Sequence, residues 1–186
     1  MYHIILASQS PRRRQILQDA GVSFESKSKD TNEDFSSTLP KHEVPVFLAK
    51  KKAQAFLPEL KENELLITAD TVVIIGDEIL NKPGNKDEAI QMLTKISGRM
   101  HEVVTGVCIT TLNKQISFSD LTRVFFLPLS QTDIEYYVDK HKPFDKAGSY
   151  GIQEYIGYIG IEKIEGSYFN VMGLPIHKVI AELRKF

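Results

Sequence analysis

Residues 3–21 read HIILASQSPRRRQILQDAG, and the fold class turns on how this stretch is divided. His3 to Ala7 is a short continuous apolar run of the kind that forms a buried strand. Ser10 suits a helix N-cap, Pro11 the first helical position and Gly21 the stop. Ile16, Leu17 and Ala20 give that helix an apolar stripe. The junction also holds an oddity: Arg12, Arg13 and Arg14 crowd the first helical turn, where the helix dipole favours acids. Free backbone N–H groups, the Ser8 and Ser10 hydroxyls and the guanidinium groups would together suit an anion, and a polyanion such as a triphosphate would supply the missing negative charge. A solvated basic turn explains the stretch equally well, because each exposed adverse charge costs only about 0.3–1 kcal/mol. The GxxxxGK[ST] spacing of a P-loop is absent.

Outward from this βα unit, residues 26–40 are polar and read as a loop. Glu43 to Leu57 reads as a second helix, with Pro45 in its first turn and Lys50 to Lys52 on a wet face. Leu65 to Ile75 is a long strand, turned at Gly76-Asp77 into Glu78 to Leu80. Lys86 to Ile96 is a helix with Ala89, Met92, Leu93 and Ile96 on one face. Met100 to Thr111 and Ser117 to Leu127 are strands, Thr132 to Lys140 a helix, and Pro143 to Gln153 a glycine-bearing loop. Tyr155 to Ile164 reads as a strand and Pro175 to Lys185 as a closing helix. Early βα units followed by adjacent strands predict an α/β class with a mixed central sheet and flanking helices. Without a repeat or a linker, residues 1–186 are expected to form a single domain.

Composition narrows the partners. The chain has 186 residues, 42% apolar and 25% charged, with a net charge of −1. That balance lacks the basic field of a non-specific nucleic-acid binder, so anion binding must come from a local cluster. No apolar leader or membrane-length run stands out, so a cytoplasmic protein without membrane or nucleic-acid partners is expected. Cys108 is the only cysteine and reads as a buried, inert thiol. Phe118, Phe125 and Phe126 suit either a core or a homodimer interface.

Three further stretches carry chemistry. In LLITADTVVII, Asp70 interrupts an apolar strand, and a buried carboxylate requires a cation, a metal or a cleft. A two-residue turn at Gly76-Asp77 would send Lys82 to the face opposite Asp70. A three-residue loop or a bulge would place both on one face, the register required if they act together, with a structural salt bridge as the alternative. The acidic loop with Glu33 and the helix with Lys52 are individually ordinary solvated features. His101 has no neighbours at metal-ligand spacing and reads as structural. In FDKAGSYGIQ, Gly148 and Gly151 let the backbone bend, and the Gln153 amide matches a uracil or thymine edge, although taken alone the stretch reads better as a plain glycine-rich turn.

In order along the chain, LASQSPRR, LAKKKA, TADTVV with ILNKP, SGRMHEVVTGV, DKAGSYGIQ and EGSYFNVMGLP resemble the Maf family of nucleoside triphosphate pyrophosphatases, once named septum-formation inhibitors. The resemblance implies an elongated α/β fold similar to the inosine triphosphate pyrophosphatases, with a cleft between two lobes. It implies cleavage of a nucleoside triphosphate between the α and β phosphates with a divalent metal such as Mg2+ or Mn2+. Residue by residue, Asp70 matches the family's proton acceptor, and Ser8, Arg13, Glu33, Lys52 and Lys82 match its polar cleft. Glu33 and Asp70 are the implied metal ligands. Arg12, Thr71 and Gln153 mark the subfamily that prefers dTTP and UTP, whereas the 7-methyl-GTP subfamily typically carries Trp at the first of these. A purine-directed enzyme on the same fold and a non-catalytic regulator of cell division are the alternatives.

Overall fold

The computed structural model describes residues 2–186. Along the chain run β1 (His3–Ala7), α1 (Pro11–Asp19), β2 (Glu25–Lys27), α2 (Val44–Phe56), β3 (Glu64–Ile75), β4 (Glu78–Leu80), α3 (Lys86–Ile96) and β5 (Met100–Thr110). There follow β6 (Gln115–Phe126), α4 (Gln131–His141), α5 (Tyr155–Gly160), β7 (Ile161–Glu165), α6 (Tyr168–Met172) and α7 (Ile176–Leu183). The strands form one seven-stranded sheet in the order β2-β1-β3-β5-β6-β7, with β4 beside β3. Parallel pairing of β1 with β2 and β3, and antiparallel pairing of β3 with β4 and β6 with β7, make the sheet mixed, as expected.

The described residues gather into two compact units. The first holds the chain up to Thr71, Thr105–Asp120 and Gly173–Phe186; the second holds Val72–Val104 and Leu121–Met172. Each has its own apolar core. In the first, Ile5, Ala49, Ala53, Phe56, Leu66 and Cys108 pack together. In the second, Val73, Leu93, Ile96, Phe126, Tyr137 and Ile156 are among the packed residues. Cys108 is fully buried, and burial pushes its thiol pKa up. His101 is buried against Phe126 and Tyr150, with Nε2 2.7 Å from the Tyr150 hydroxyl. Phe126 belongs to this second core, while Phe118 and Phe125 are half-buried.

The opening stretch folds as read. Ser10 caps α1 by accepting from the Arg13 N–H, Pro11 opens it, and Gly21 closes it at φ +74°. Ala20 is exposed, so the buried stripe narrows to Ile16 and Leu17.

Two readings are corrected, and one choice left open is settled. The polar stretch from residue 26 contains part of β2, whose backbone pairs with Ile5–Ala7. An exposed three-residue edge strand has no apolar alternation to reveal it. Tyr155 to Ile164 is helix α5 followed by strand β7, not one strand. Aromatic and β-branched residues favour a strand locally, but burial falls on Ile156, Gly157 and Gly160. A Cβ at Gly157 would stand 2.0 Å from the Ile152 carbonyl oxygen, and one at Gly160 2.8 Å from Leu129 Cδ2. Close packing on that glycine face therefore overrides propensity. Finally, the β3–β4 turn is the two-residue one, with Ile75 opposite Glu78 and Val73 opposite Leu80. The bulged register that would bring Lys82 to the face of Asp70 is not formed. Because β4 ends at Leu80, Lys82 lies beyond the paired stretch, where strand alternation no longer sets its direction.

Candidate active site

In the first unit the site is built on β3. Every β3 residue is buried except Asp70 and Thr71, so the strand opens at the acid that the sequence singled out. Helix α2 brings a cation to it. The helix is seated on the sheet by its Ala49 and Ala53 face, and the buried Thr68 hydroxyl donates to the Ala49 carbonyl at 2.7 Å. At Gly106 the helix backbone comes so near that a Cβ would stand 2.3 Å from the Pro45 carbonyl carbon. So seated, α2 places Lys52 Nζ 2.6 Å from Asp70 Oδ1 and 2.8 Å from Glu33 Oε1. The wet-face reading of Lys52 is thereby corrected, since its side chain is only 18% exposed.

Glu33 arrives on a loop that is itself held. Asn32 Oδ1 accepts from the Asp34 N–H at 2.6 Å, and Lys51 Nζ donates to the Asp34 carbonyl at 2.9 Å. An Asx-type bend with a lysine pin presents the middle residue to Lys52.

The opening arginines divide their labour. Arg13 reaches back across the unit: Nε donates to Gly173 O at 2.8 Å, Nη1 to Ala69 O at 2.8 Å and Nη2 to Thr71 Oγ1 at 3.0 Å. The guanidinium thus brackets Asp70 by its two sequence neighbours. Burial lowers its pKa from the ordinary arginine value, while the nearby charge of Asp70 opposes that shift. Thr71 Oγ1, which accepts from Arg13, also shares a hydrogen bond with Thr105 Oγ1, 2.8 Å away. Arg14 turns to the Gln9 carbonyl at 3.2 Å, and Arg12 is half-buried at the same helix start. Ser8 is buried, its Oγ accepting from the Ser10 N–H at 3.2 Å.

Lys82 and Gln153 lie in the second unit. Lys82 is exposed and follows Asn81, whose carbonyl accepts from the Gly148 N–H at 3.3 Å. Among the described residues, Gln153 Oε1 is buried and accepts no hydrogen bond.

Sequence reading overlooked Thr105 and Gly173. Gly173 meets Arg13 and Thr105 meets Thr71 only through the tertiary fold, though Gly173 lies in the quoted EGSYFNVMGLP and stands at φ +114°. Among the described residues no group of three or more His, Cys, Asp or Glu gathers. The available metal donors are two hard carboxylate oxygens, from Glu33 and Asp70, that already meet at one cationic atom. Such a pair suits Mg2+ or Mn2+ when phosphate oxygens and water complete the shell.

The chain is similar to known proteins over nearly its whole length. The structure of the Ham1 protein of Staphylococcus aureus matches with a TM-score of 0.57 at 16% identity, over 98% of both chains. That likeness concerns the fold. A protein named dTTP/UTP pyrophosphatase from Cytophaga hutchinsonii is 52% identical, over 98% of this chain and 83% of its own. Proteins of the same name from Phocaeicola vulgatus and Parabacteroides distasonis are 50% and 48% identical, over 99% and 100% of this chain and 96% of theirs. A family model described as Maf-like protein matches residues 3–186, across both compact units. By that match, and by relatives near half identity over nearly all of its length, the chain belongs to the Maf family.

Proposed function

We propose that this protein hydrolyses dTTP and UTP between the α and β phosphates, releasing the nucleoside monophosphate and pyrophosphate. Its relatives carry these substrates in their names, and the first unit supplies suitable chemistry. The observation that carries the reading is the Glu33–Lys52–Asp70 arrangement, an ammonium held between two carboxylates at the one opening of a buried strand.

Glu33 and Asp70 would hold a divalent ion with the substrate phosphates. Such an ion, when bound, offsets phosphate charge and acidifies its water. Asp70 accepts the proton of the attacking water, held in place by the Arg13 hydrogen bonds on either side of it. Lys52 exchanges a carboxylate for a phosphate oxygen and spreads the charge of the leaving pyrophosphate. Arg13 spends three N–H donors inside the protein and has two left for phosphate. Ser8 and Arg12 contribute at the helix N-terminus, and Lys82 is assigned to phosphate oxygens. Gln153 is assigned to the base: its unpartnered oxygen, which costs about 1–3 kcal/mol, is relieved when the amide turns to meet the N–H of a uracil or thymine edge. Thr71 marks substrate preference through the Arg13 and Thr105 hydroxyl chain. The protein is read as cytoplasmic; among the described residues no helix is long and apolar enough to cross a membrane.

The test is pyrophosphate release by Asp70→Asn across a panel of pyrimidine and purine nucleotides. Loss of a general base lowers turnover by about 10²–10⁴-fold, and the unfolding midpoint should stay near that of the parent. Near-parental release from dTTP and UTP would overturn the assignment, and a preference for purines would redirect it.

A further inference from the structure

The second unit contains a buried polar cluster of its own, centred on Tyr137. Tyr137 on α4 is fully buried. Its hydroxyl accepts from the Gly151 N–H at 3.0 Å and donates to Glu154 Oε2. The other carboxylate oxygen of Glu154 lies 3.2 Å from Lys146 Nζ, which also meets Asp145 Oδ1 at 2.7 Å. Lys146 is nearly enclosed, its side chain 9% exposed. Burial and the facing Glu154 raise the Tyr137 pKa, so the phenol keeps its proton and remains the donor.

The placement of these bonds matters. They tie the Gly151 backbone N–H to the side chains of Tyr137, Glu154 and Lys146, and Gln153 stands between Gly151 and Glu154. Glycine at 151 is demanded by the clamp itself, because a Cβ there would sit 2.7 Å from Glu154 Cδ. The segment is also held in an unusual path: Gly148 has φ +67° and Ser149, a non-glycine, φ +62°. Strained backbone of this kind persists only where its surroundings over-determine it, and it concentrates at ligand-contacting segments. A buried ion pair contributes little net stability over an apolar replacement, so stability alone does not account for it. Beside this well-satisfied frame, Gln153 Oε1 is a buried acceptor without a hydrogen-bond donor among the described residues.

We propose that Tyr137, Glu154 and Lys146 form a clamp that fixes the Gln153 segment and so sets base selectivity. They are positioning residues, acting on the nucleotide through Gln153, and the proposal rests on the reading of Gln153 given above. Precise placement of one amide is what a selectivity residue needs, since its hydrogen bonds weaken steeply with misalignment.

The experiment compares kcat/KM for UTP and for CTP in the metal-supplemented enzyme. Gln153→Ala should lower the UTP/CTP ratio by about tenfold or more, as expected when a hydrogen-bonding reader is lost. Tyr137→Phe should lower the ratio by roughly three- to tenfold, mostly through KM for UTP, as expected for a displaced contact. If Tyr137→Phe does not fold, Glu154→Gln serves the same purpose: it keeps an oxygen for Tyr137, drops the charge facing Lys146, and should lower the ratio in the same direction. A parental ratio in folded Tyr137→Phe or Glu154→Gln, beside a collapsed ratio in Gln153→Ala, would overturn the clamp and leave Gln153 as the reader. A parental ratio in Gln153→Ala would overturn the reading of Gln153 and the clamp with it.

Discussion

Arg13 shows how much one side chain does when its donors are directed inward. Seen in the sequence it is one of three cations at a helix start; in the fold it holds Gly173, Ala69 and Thr71 together. Arg13→Met would leave these acceptors without their charged donor, and the loss is expected to be roughly 2–4 kcal/mol. An exposed arginine would cost under about 0.5 kcal/mol. Urea unfolding of Arg13→Met decides between the two, and a change within the exposed-residue range would return Arg13 to the surface. His101 offers a second residue-scale test. Burial pushes its pKa down from 6.5 to about 4. Between those values the unfolded chain binds the proton and the folded one does not, so stability falls as pH drops through that window and levels off below it. The loss reaches about 3.4 kcal/mol once both states carry the proton. His101→Gln should flatten the pH 6.5 to 4 limb of a urea-midpoint profile, and an unchanged limb would assign it to other groups.

At the scale of elements, the seat of α2 governs the site, because Lys52 is only as well placed as the helix that carries it. Gly106 is where the seat is closest. Gly106→Ala puts a methyl 2.3 Å from Pro45 C and Val46 N, both backbone atoms that cannot turn aside. The expected cost is about 1–3 kcal/mol from overpacking, with a fall in pyrophosphate release as Lys52 moves off Asp70. Thermal unfolding and the release assay check both, and a parental midpoint would show that α2 adjusts freely. The contrast between α2 and α5 also shows what the sequence could convey. Helix α2 was legible because Ala49, Ala53 and Phe56 repeat along one side of a run long enough to show a period. Helix α5 was hidden because its six residues are too few for a period, and its glycines were chosen by Ile152 and Leu129, which lie outside it. Asp70 was legible for an opposite reason: an acid in an apolar strand violates the local pattern, and such violations point to function. Thr105, Gly173 and Tyr137 obey their local patterns, so only the fold reveals what they do.

For the molecule as a whole, the candidate site's two carboxylates already share one ammonium before any ligand arrives. The chain carries a net charge of −1, and in the first unit Lys52 satisfies Glu33 and Asp70 together. A divalent ion entering alone must displace that ammonium from both carboxylates, leaving Lys52 half-buried without an anion. A triphosphate entering alone brings its own negative charge toward the same carboxylates. Arriving together, on the proposed reading, the ion would take the carboxylates and the phosphates would take Lys52, so neither displaced group would be stranded. Metal and nucleotide should therefore stabilise the fold jointly and far less singly. At a ligand concentration about 100 times Kd, binding adds about 2.7 kcal/mol, which for a chain of this size is a rise of roughly 5–10 °C in Tm. With a non-hydrolysable α,β-imido UTP and Mg2+ present, differential scanning calorimetry should record that rise, and either component alone should give a small fraction of it. Chelator added to the ternary sample should bring Tm back near the ligand-free value. A full rise with Mg2+ alone would mean that the carboxylates hold the ion without phosphate, and that Lys52 is not the group it replaces.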